Sequence, residues 1–346
     1  MESLLKEINR KKRELDKYRP FPPETIIGLE EWLRIELTYS SNAIEGNSLS
    51  RLETAEVIEK GVSAAISGKS LKDQLEAINH DKALRFINNL GKKYQNHQAI
   101  TERDIKTIHK IILTGINDQW AGKYRQIDVF IRGTDVEFPR PQAVPYQMKE
   151  FIDWLKSQKK DHPVRIAANA HFKLVSIHPF IDGNGRTSRL LMNLILIINS
   201  YPMAIVRNEE RINYLQAVNR GQKENDLKAL YFLIEKSVNR SLSAYLNAFK
   251  KKSPLAPLTE GIRKDKTQLL DSKNQTLFKI GELAKATGET NHTLRYWTKE
   301  GLLRVKKYTP GGYQLYQSSM IQQVKKIRYL QKKERLSISE IKKKLA

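Results

Sequence analysis

His178-Pro-Phe-Ile-Asp-Gly-Asn-Gly-Arg-Thr-Ser-Arg189 is the stretch on which the reading of this chain turns. Phosphate chemistry needs backbone N–H groups free to meet oxyanions, a cation against developing charge, and a positioned base. Each has a candidate here. Gly183 and Gly185 leave no side chain in the way of close backbone approach, and a helix starting beyond them aims its N-terminal dipole at the loop. Asn184 between them carries an amide N–H for the same anion. Asp182 is a hard oxygen ligand suited to one Mg²⁺ shared with substrate phosphates. Arg186 and Arg189, three apart, share a helix face and can clamp several phosphate oxygens. His178 stands at the opposite rim, before the helix-ending Pro179, where an imidazole of near-neutral pKa can take a proton from an attacking hydroxyl. No Gly-Lys-Ser/Thr follows the glycines, which excludes a Walker A loop. His171 lies two turns before His178 on the same helix face and reads as a core or supporting histidine.

Outward from the loop the pattern is helical. Leu190 to Val206 is the most apolar run; Asn193, Asn199, Ser200 and Pro202 interrupt it and it is too short for a bilayer, so it reads as a buried helix. Apolar spacing and stop signals predict helices over Ser3–Tyr18, Glu24–Thr38 (ending near 40–42), Leu52–Gly68, Leu71–Lys93 and Glu102–Thr114. Further ones are predicted over Tyr146–Lys156, Arg165–Ile177, Arg186–Asn199, Arg207–Asn219 and Leu227–Phe249. Between Gly122 and Pro145 the residues alternate around a turn at Gly133-Thr-Asp135, a β-hairpin signal in an otherwise mainly α chain. Four segments result: N-terminal helices and the start of a core (1–120), the core with hairpin and loop (121–250), a linker rich in Lys, Pro, Ser, Asp and Gln (251–276), and a small basic domain (277–346).

The 346 residues carry a formal net charge of +23, which calls for an anionic partner, nucleic acid first and an anionic membrane surface second, with plain solubility the third reading. From Lys250 onward 23 Lys and Arg face 8 Asp and Glu, so that partner is expected at the C-terminal end. Cysteine is absent, which excludes disulfides and thiolate metal sites. The N-terminus lacks the apolar run of a signal peptide, and the expectation is a cytoplasmic protein with no membrane partner.

The loop resembles the Fic (Fido) family signature, His-Pro-Phe-x-Asp/Glu-Gly-Asn-Gly-Arg-x-x-Arg, at every fixed position. The resemblance, over roughly residues 24 to 250, implies a helical core and transfer of AMP from ATP to a protein Ser, Thr or Tyr hydroxyl. It implies His178 as general base, Asp182 as Mg²⁺ ligand, Gly183 to Gly185 as anion hole, and Arg186 and Arg189 as phosphate clamps. Thr187 and Ser188 fall inside the ATP-binding stretch, and Tyr214 matches an aromatic that borders the nucleotide. The hairpin matches the flap on which relatives dock an acceptor by strand addition. Gly185 argues against relatives whose lysine there turns the nucleotide round.

Ser41-Asn-Ala-Ile-Glu45-Gly46-Asn47, on an expected helix at about 30–47, reads on spacing alone as capping at a helix N-terminus with surface charge. Beside a Fic core it resembles the family's inhibitory motif, Ser/Thr-x-x-x-Glu-Gly/Asn. The resemblance implies that Glu45 occupies the Arg189 guanidinium that should meet the γ-phosphate.

At the C-terminal end, Ile280–Gly288 and Asn291–Gly301 read as two short helices about a turn, the helix-turn-helix pattern, and Thr309-Pro-Gly-Gly-Tyr313 as the turn of a wing. Arg295, Lys299, Arg304, Lys306 and Lys307 suit phosphates and groove edges. This part resembles the MerR DNA-binding domain, with Trp297 in place of a second tyrosine and without the long dimerising helix; any homodimer would form through the first part. The expected function is a self-inhibited protein adenylyltransferase with a DNA-binding module. The alternatives are a nucleotide-sensing transcription regulator with a non-catalytic core, or a Fic enzyme that transfers another phosphate-containing group or removes AMP.

Overall fold

Amphipathic spacing builds the first unit of the chain from α-helices, and Ser and Thr caps set several of their starts. In this computed structural model residues 2–64, 66, 68–130, 136–250, 254–259, 277–308, 314–332, 334, 336 and 338–345 are described. The chain divides into two units, Met1–Leu258 and Thr259–Ala346. The first begins with α1 (Glu2–Asp16), α2 (Pro23–Ile44), α3 (Arg51–Lys60), α4 (Leu71–Lys93) and α5 (Glu102–Leu113). It continues with α6 (Val144–Ser157), α7 (Pro163–Ile177), α8 (Asn184–Ile198), α9 (Arg211–Glu224), α10 (Lys228–Phe249) and a short α11 (Ala256–Thr259). Ser50, Ser70 and Thr101 each accept a backbone N–H at the start of α3, α4 and α5, a contact worth about 1 kcal/mol per cap.

Helix α8 is the axis of this unit. Leu190, Leu191, Met192, Leu194, Ile195 and Leu196 are fully buried, on every side of the helix, and α4, α5 and α7 pack around it. A helix apolar all round has to sit inside the fold. Asn193, which interrupts the apolar run, is satisfied there: its amide donates to Ala204 O at 3.1 Å and its Oδ1 accepts from Ala204 N at 2.7 Å.

Three expectations change. Helix α2 does not stop near residue 40 but runs to Ile44, so Ser41 lies in its last turns and not at a helix N-terminus. The segment after residue 51 leaves α-helix at Lys60 and tightens to a 3₁₀ turn, Gly61–Ala64. Composition assigned residues 251–276 to a linker, yet Leu258 is buried in the main core and its carbonyl accepts from Arg207 Nη1 at 3.2 Å. Of the expected hairpin, the tip at 131–135 lies outside the described residues, and the described flanks carry no strand ladder.

The second unit has its own core. It contains β1 (Leu277–Lys279), α12 (Ile280–Thr287), α13 (Asn291–Lys299), β2 (Lys307–Tyr308), β3 (Gln314–Gln317), α14 (Ser319–Lys332) and α15 (Ile338–Leu345). The strands form an antiparallel sheet in the order β1-β3-β2. Trp297, the departure noted in the sequence, is buried with Leu294, Tyr316 and Ile327. The wing turn, 309–313, lies outside the described residues. No described helix is long and apolar enough to cross a membrane.

His80 on α4, His109 on α5 and His171 on α7 are completely buried. Burial holds them neutral, lowering their pKa to about 3, 4 and 3 from an ordinary 6.5. Unfolding lets each take a proton near its ordinary pKa, so their stabilising contribution is complete above about pH 6.5 and is lost as pH falls toward 4. Melting followed by circular dichroism should therefore give a lower Tm at pH 5.5 than at pH 7.5, and His171→Gln should flatten that dependence.

Candidate active site

Helix α7 ends, and α8 begins, on either side of the loop. His178 caps α7 in the left-handed region (φ 50°), its N–H returning to Leu174 O at 3.0 Å. Its Nδ1 donates to Val175 O at 3.3 Å, which leaves Nε2 as the lone-pair nitrogen. Burial depresses its pKa to about 4, against a smaller opposing effect of the Val175 carbonyl, with Arg125 adding to the depression. The near-neutral pKa expected from its residue type is corrected: desolvation disfavours the charged form, and the imidazole is unprotonated at pH 7.

The loop is braced from residues distant in sequence. Phe180 N–H and C=O are both taken by the Asn184 side chain, at 3.0 and 2.8 Å. That side chain is therefore not an anion donor, and only the Asn184 backbone N–H remains for that role. His109 Nε2 donates to Asp182 O at 2.9 Å, His109 Nδ1 accepts from Gly122 N at 3.0 Å, and the ring stacks on Phe180 with centroids 3.6 Å apart. Gly183 holds φ 75° with His109 against it, a conformation that disfavours any residue with a Cβ. Thr187 and Ser188 are corrected too. Both are fully buried, Ser188 Oγ donates to Asn184 O at 2.8 Å, and neither lines the cavity.

The two arginines have different neighbours. Arg186 is buried against Glu76 (Nη1–Oε1 3.0 Å), with Asp182 Oδ1 3.6 Å from Nη2, so it is a held cation more than an open clamp. Arg189, also buried, donates from Nε to Ser41 Oγ at 3.0 Å and from Nη2 to Ser41 O at 2.7 Å and Glu45 Oε1 at 2.8 Å. Tyr214 accepts from Arg189 Nη1 at 3.4 Å and meets His171 Nε2 at 2.8 Å, which gives His171 its supporting position. A Cβ built on Gly185 would lie 2.3 Å from Glu45 Oε1: the carboxylate lies directly over this glycine, and a larger residue here would have to displace the Glu45 side chain. Asn47, after Gly46, donates to Glu76 Oε2 at 2.8 Å and Asp73 O at 2.9 Å, which ties this segment to the partner of Arg186.

His178, Gly185, Arg189, Glu45 and Tyr214 line one cavity of about 630 Å³ with Arg211, Leu215, Asn219 and Lys223. Asp182 lies at the loop's exposed edge, half of its side chain accessible, with Oδ1 accepting from Gly183 N at 2.6 Å. An exposed hard carboxylate suits Mg²⁺, which takes one or two protein carboxylates and completes its shell with phosphate and water oxygens. Among the described residues no group of three His, Cys, Asp or Glu could enclose a metal.

The Fic/DOC family model matches residues 99–196, and the MerR HTH regulatory family model matches residues 278–346. The structure of Fic-1 from C. elegans is 31% identical with a TM-score of 0.65, over 72% of this chain and 73% of that one. The chain belongs to the Fic/DOC family. A Fic-domain signalling protein from Bacteroides thetaiotaomicron is 28% identical with a TM-score of 0.63, over 71% of this chain and 99% of that one. Protein adenylyltransferase Fic of Nematostella vectensis is 38% identical over 210 residues, 60% of this chain and 48% of that protein. The chain spans about half the length of the curated relatives it matches.

Within this Fic core, His109, Arg125 and Glu76 were not legible as site residues. His109 and Glu76 lie on helices whose pattern is explained by packing, Arg125 lies in the irregular segment between α5 and α6, and no local motif marks any of them. In the MerR-like unit, Arg295 and Lys299 lie one turn apart on α13, and with Arg304, Lys306 and Lys307 all five are exposed.

The roles of the buried loop residues separate in stability. Asn184→Ala strands two fully buried groups of Phe180, each costing about 1–3 kcal/mol. Thr187→Val replaces a buried hydroxyl that has no hydrogen-bond partner among the described residues. Thermal melts should show a large drop in Tm for Asn184→Ala and a change near zero for Thr187→Val.

Proposed function

We propose that this chain is a self-inhibited protein adenylyltransferase whose C-terminal unit binds duplex DNA. The observation that carries the reading is Glu45 lying on Gly185 and Arg189 while His178 faces the same cavity with a free Nε2. The names of the curated relatives, protein adenylyltransferases all, point the same way.

In the proposed reaction a Ser, Thr or Tyr hydroxyl oxygen of the acceptor protein attacks the α-phosphorus of ATP. The new P–O bond forms as the α–β bridging bond breaks, and pyrophosphate leaves. His178 Nε2 takes the hydroxyl proton, a contribution of roughly 10²–10⁴-fold. The N–H groups at the start of α8 and the Arg189 guanidinium meet phosphate oxygens. Mg²⁺, held by Asp182 with phosphate oxygens, would neutralise charge on the leaving pyrophosphate.

Glu45 competes with that substrate. It presents a carboxylate to the guanidinium a γ-phosphate needs, and fills the space over Gly185 that the anion needs. Removing the carboxylate opens both at once. Intact-mass analysis after incubation with ATP and Mg²⁺ should find an AMP adduct, on the protein itself or an acceptor, for Glu45→Gly and none for Glu45→Gly with His178→Ala. Absence of any adduct with Glu45→Gly sinks the transferase reading in favour of a nucleotide-sensing core. Because His178 is already deprotonated at neutral pH, kcat/KM should stay level from pH 8 to 6 and fall only as pH approaches 4, with other groups held constant. A limb centred between pH 6 and 7 would contradict the neutral, half-buried imidazole.

The DNA reading rests on the MerR-family match and the five exposed basic residues. A helix-turn-helix places its second helix in the major groove, so Arg295 and Lys299 on α13 would read or flank bases. Electrophoretic shifts with a random duplex library should select a sequence, and Arg295→Ala should lose that selection. Binding without preference and with a steep salt slope reduces this unit to an electrostatic tether.

A further inference from the structure

Arg125 is almost wholly buried, and its side chain is spent on main-chain carbonyls. Nε donates to His178 O at 2.8 Å, Nη1 to Ile127 O at 3.1 Å, and Nη2 to Pro139 O. Its own backbone N–H donates to Pro179 O at 2.9 Å. Ile127 and Pro139 lie on opposite flanks of the segment 122–145, and His178 and Pro179 open the loop. One guanidinium therefore joins both roots of that segment to the backbone of the His178 residue. Phe138, beside Pro139, adds a ring contact to His178 with centroids 4.4 Å apart. His178 itself stands at φ 50°, a conformation that a residue with a Cβ keeps only when its surroundings enforce it.

We propose that Arg125 is a positioning residue that couples the flanks 122–130 and 136–145 of the segment read as the acceptor flap to the orientation of the His178 imidazole. The inference rests on the transferase reading above. An acceptor strand added to the segment pulls on Ile127 and Pro139, and the fork of Arg125 transmits that displacement to the His178 carbonyl. Lysine cannot substitute, because a single ammonium does not span three carbonyls arranged around a plane. The nucleotide side of the cavity, with Arg189, Tyr214 and Gly185, makes no hydrogen bond to Arg125 among the described residues.

The test uses the full chain with Glu45→Gly as parent, adding Arg125→Lys or Arg125→Gln. Three quantities are read: ATP affinity by titration calorimetry, transfer of AMP against ATP hydrolysis, and hydrogen exchange of peptides covering 122–130 and 176–184. The expected result is ATP affinity within about threefold of the parent, and transfer to acceptor slowed by roughly 10²-fold, the scale of a misplacement near 1 Å. Exchange should rise in both peptides together while that of α10 stays unchanged. Transfer equal to the parent, or loss of transfer matched by loss of ATP binding and by faster exchange throughout, overturns the proposal. Should the parent transfer nothing, the transferase reading fails on its own. The exchange arm still decides the coupling: a rise in 122–130 without one in 176–184 refutes it.

Discussion

Arg189 is a permanent cation with 4% of its side chain exposed, and a buried charge without acceptors would cost several kcal/mol. Much of the first unit is arranged to supply them. Helix α2 runs its last turns far enough to bring Ser41 Oγ and Ser41 O to the guanidinium. Glu45 at the end of α2 brings the countercharge, and Tyr214 from α9 brings a hydroxyl oxygen. Burial also keeps His171 and His80 neutral around it, and Arg189 adds to the depression of both. A protonated imidazole there would add to two buried guanidinium charges, Arg189 and Arg186. On the proposed reading, ATP exchanges one anion for another at Arg189, so the guanidinium keeps its countercharge throughout.

The seam between α2, α4 and α8 is correspondingly polar. Thr38, Ser41 and Asn42 on α2 face Glu76 and His80 on α4 and the two loop arginines on α8, all of them buried. Asn42 donates to Thr38 O within its own helix, and His80 Nδ1 meets Thr38 Oγ1 at 3.2 Å. Apolar contacts in the first half of α2, through Ile26, Leu29 and Leu33, anchor the helix; hydrogen bonds specify where its end lies. On the proposed reading, such a division would let the end respond to an anion while the start stays docked, because polar contacts add little net stability when both partners have alternatives.

How much of this was readable depended on range. Helix α4 was legible to both ends, because a Ser70 cap, an amphipathic run and a lysine-rich last turn all lie within its own residues. His178, Asp182 and Arg189 were legible because the chemistry packs them into one short loop. Ser41 was misread as a helix start because Ser-Ser-Asn is a stop-and-cap signal locally, while packing against α4 and α8 overrides it and carries α2 on to Ile44. Asn184 looked like an anion donor because its side-chain partner, the Phe180 peptide, is revealed only by the fold of the loop. His109, Glu76 and Arg125 were silent for a deeper reason. Their partners lie 73, 110 and 53 residues away, and periodicity carries no information about which buried polar groups meet.

Those three silent residues brace the loop in the conformation described above. Its fixed positions supply groups for chemistry but few of the bonds that hold them. Asp182 O is held by His109, Arg186 by Glu76, and the His178 carbonyl by Arg125. Each of these supports also reaches a second segment: His109 to Gly122, Glu76 to Asn47, Arg125 to Ile127 and Pro139. Gly122, Ile127 and Pro139 belong to the segment read as the acceptor flap, and Asn47 to the segment carrying Glu45. The supports are thus shared between the loop and the two elements that would govern it. On the proposed reading, a displacement of the segment read as the flap, or of the segment carrying Glu45, would strain the side chains that also hold the loop.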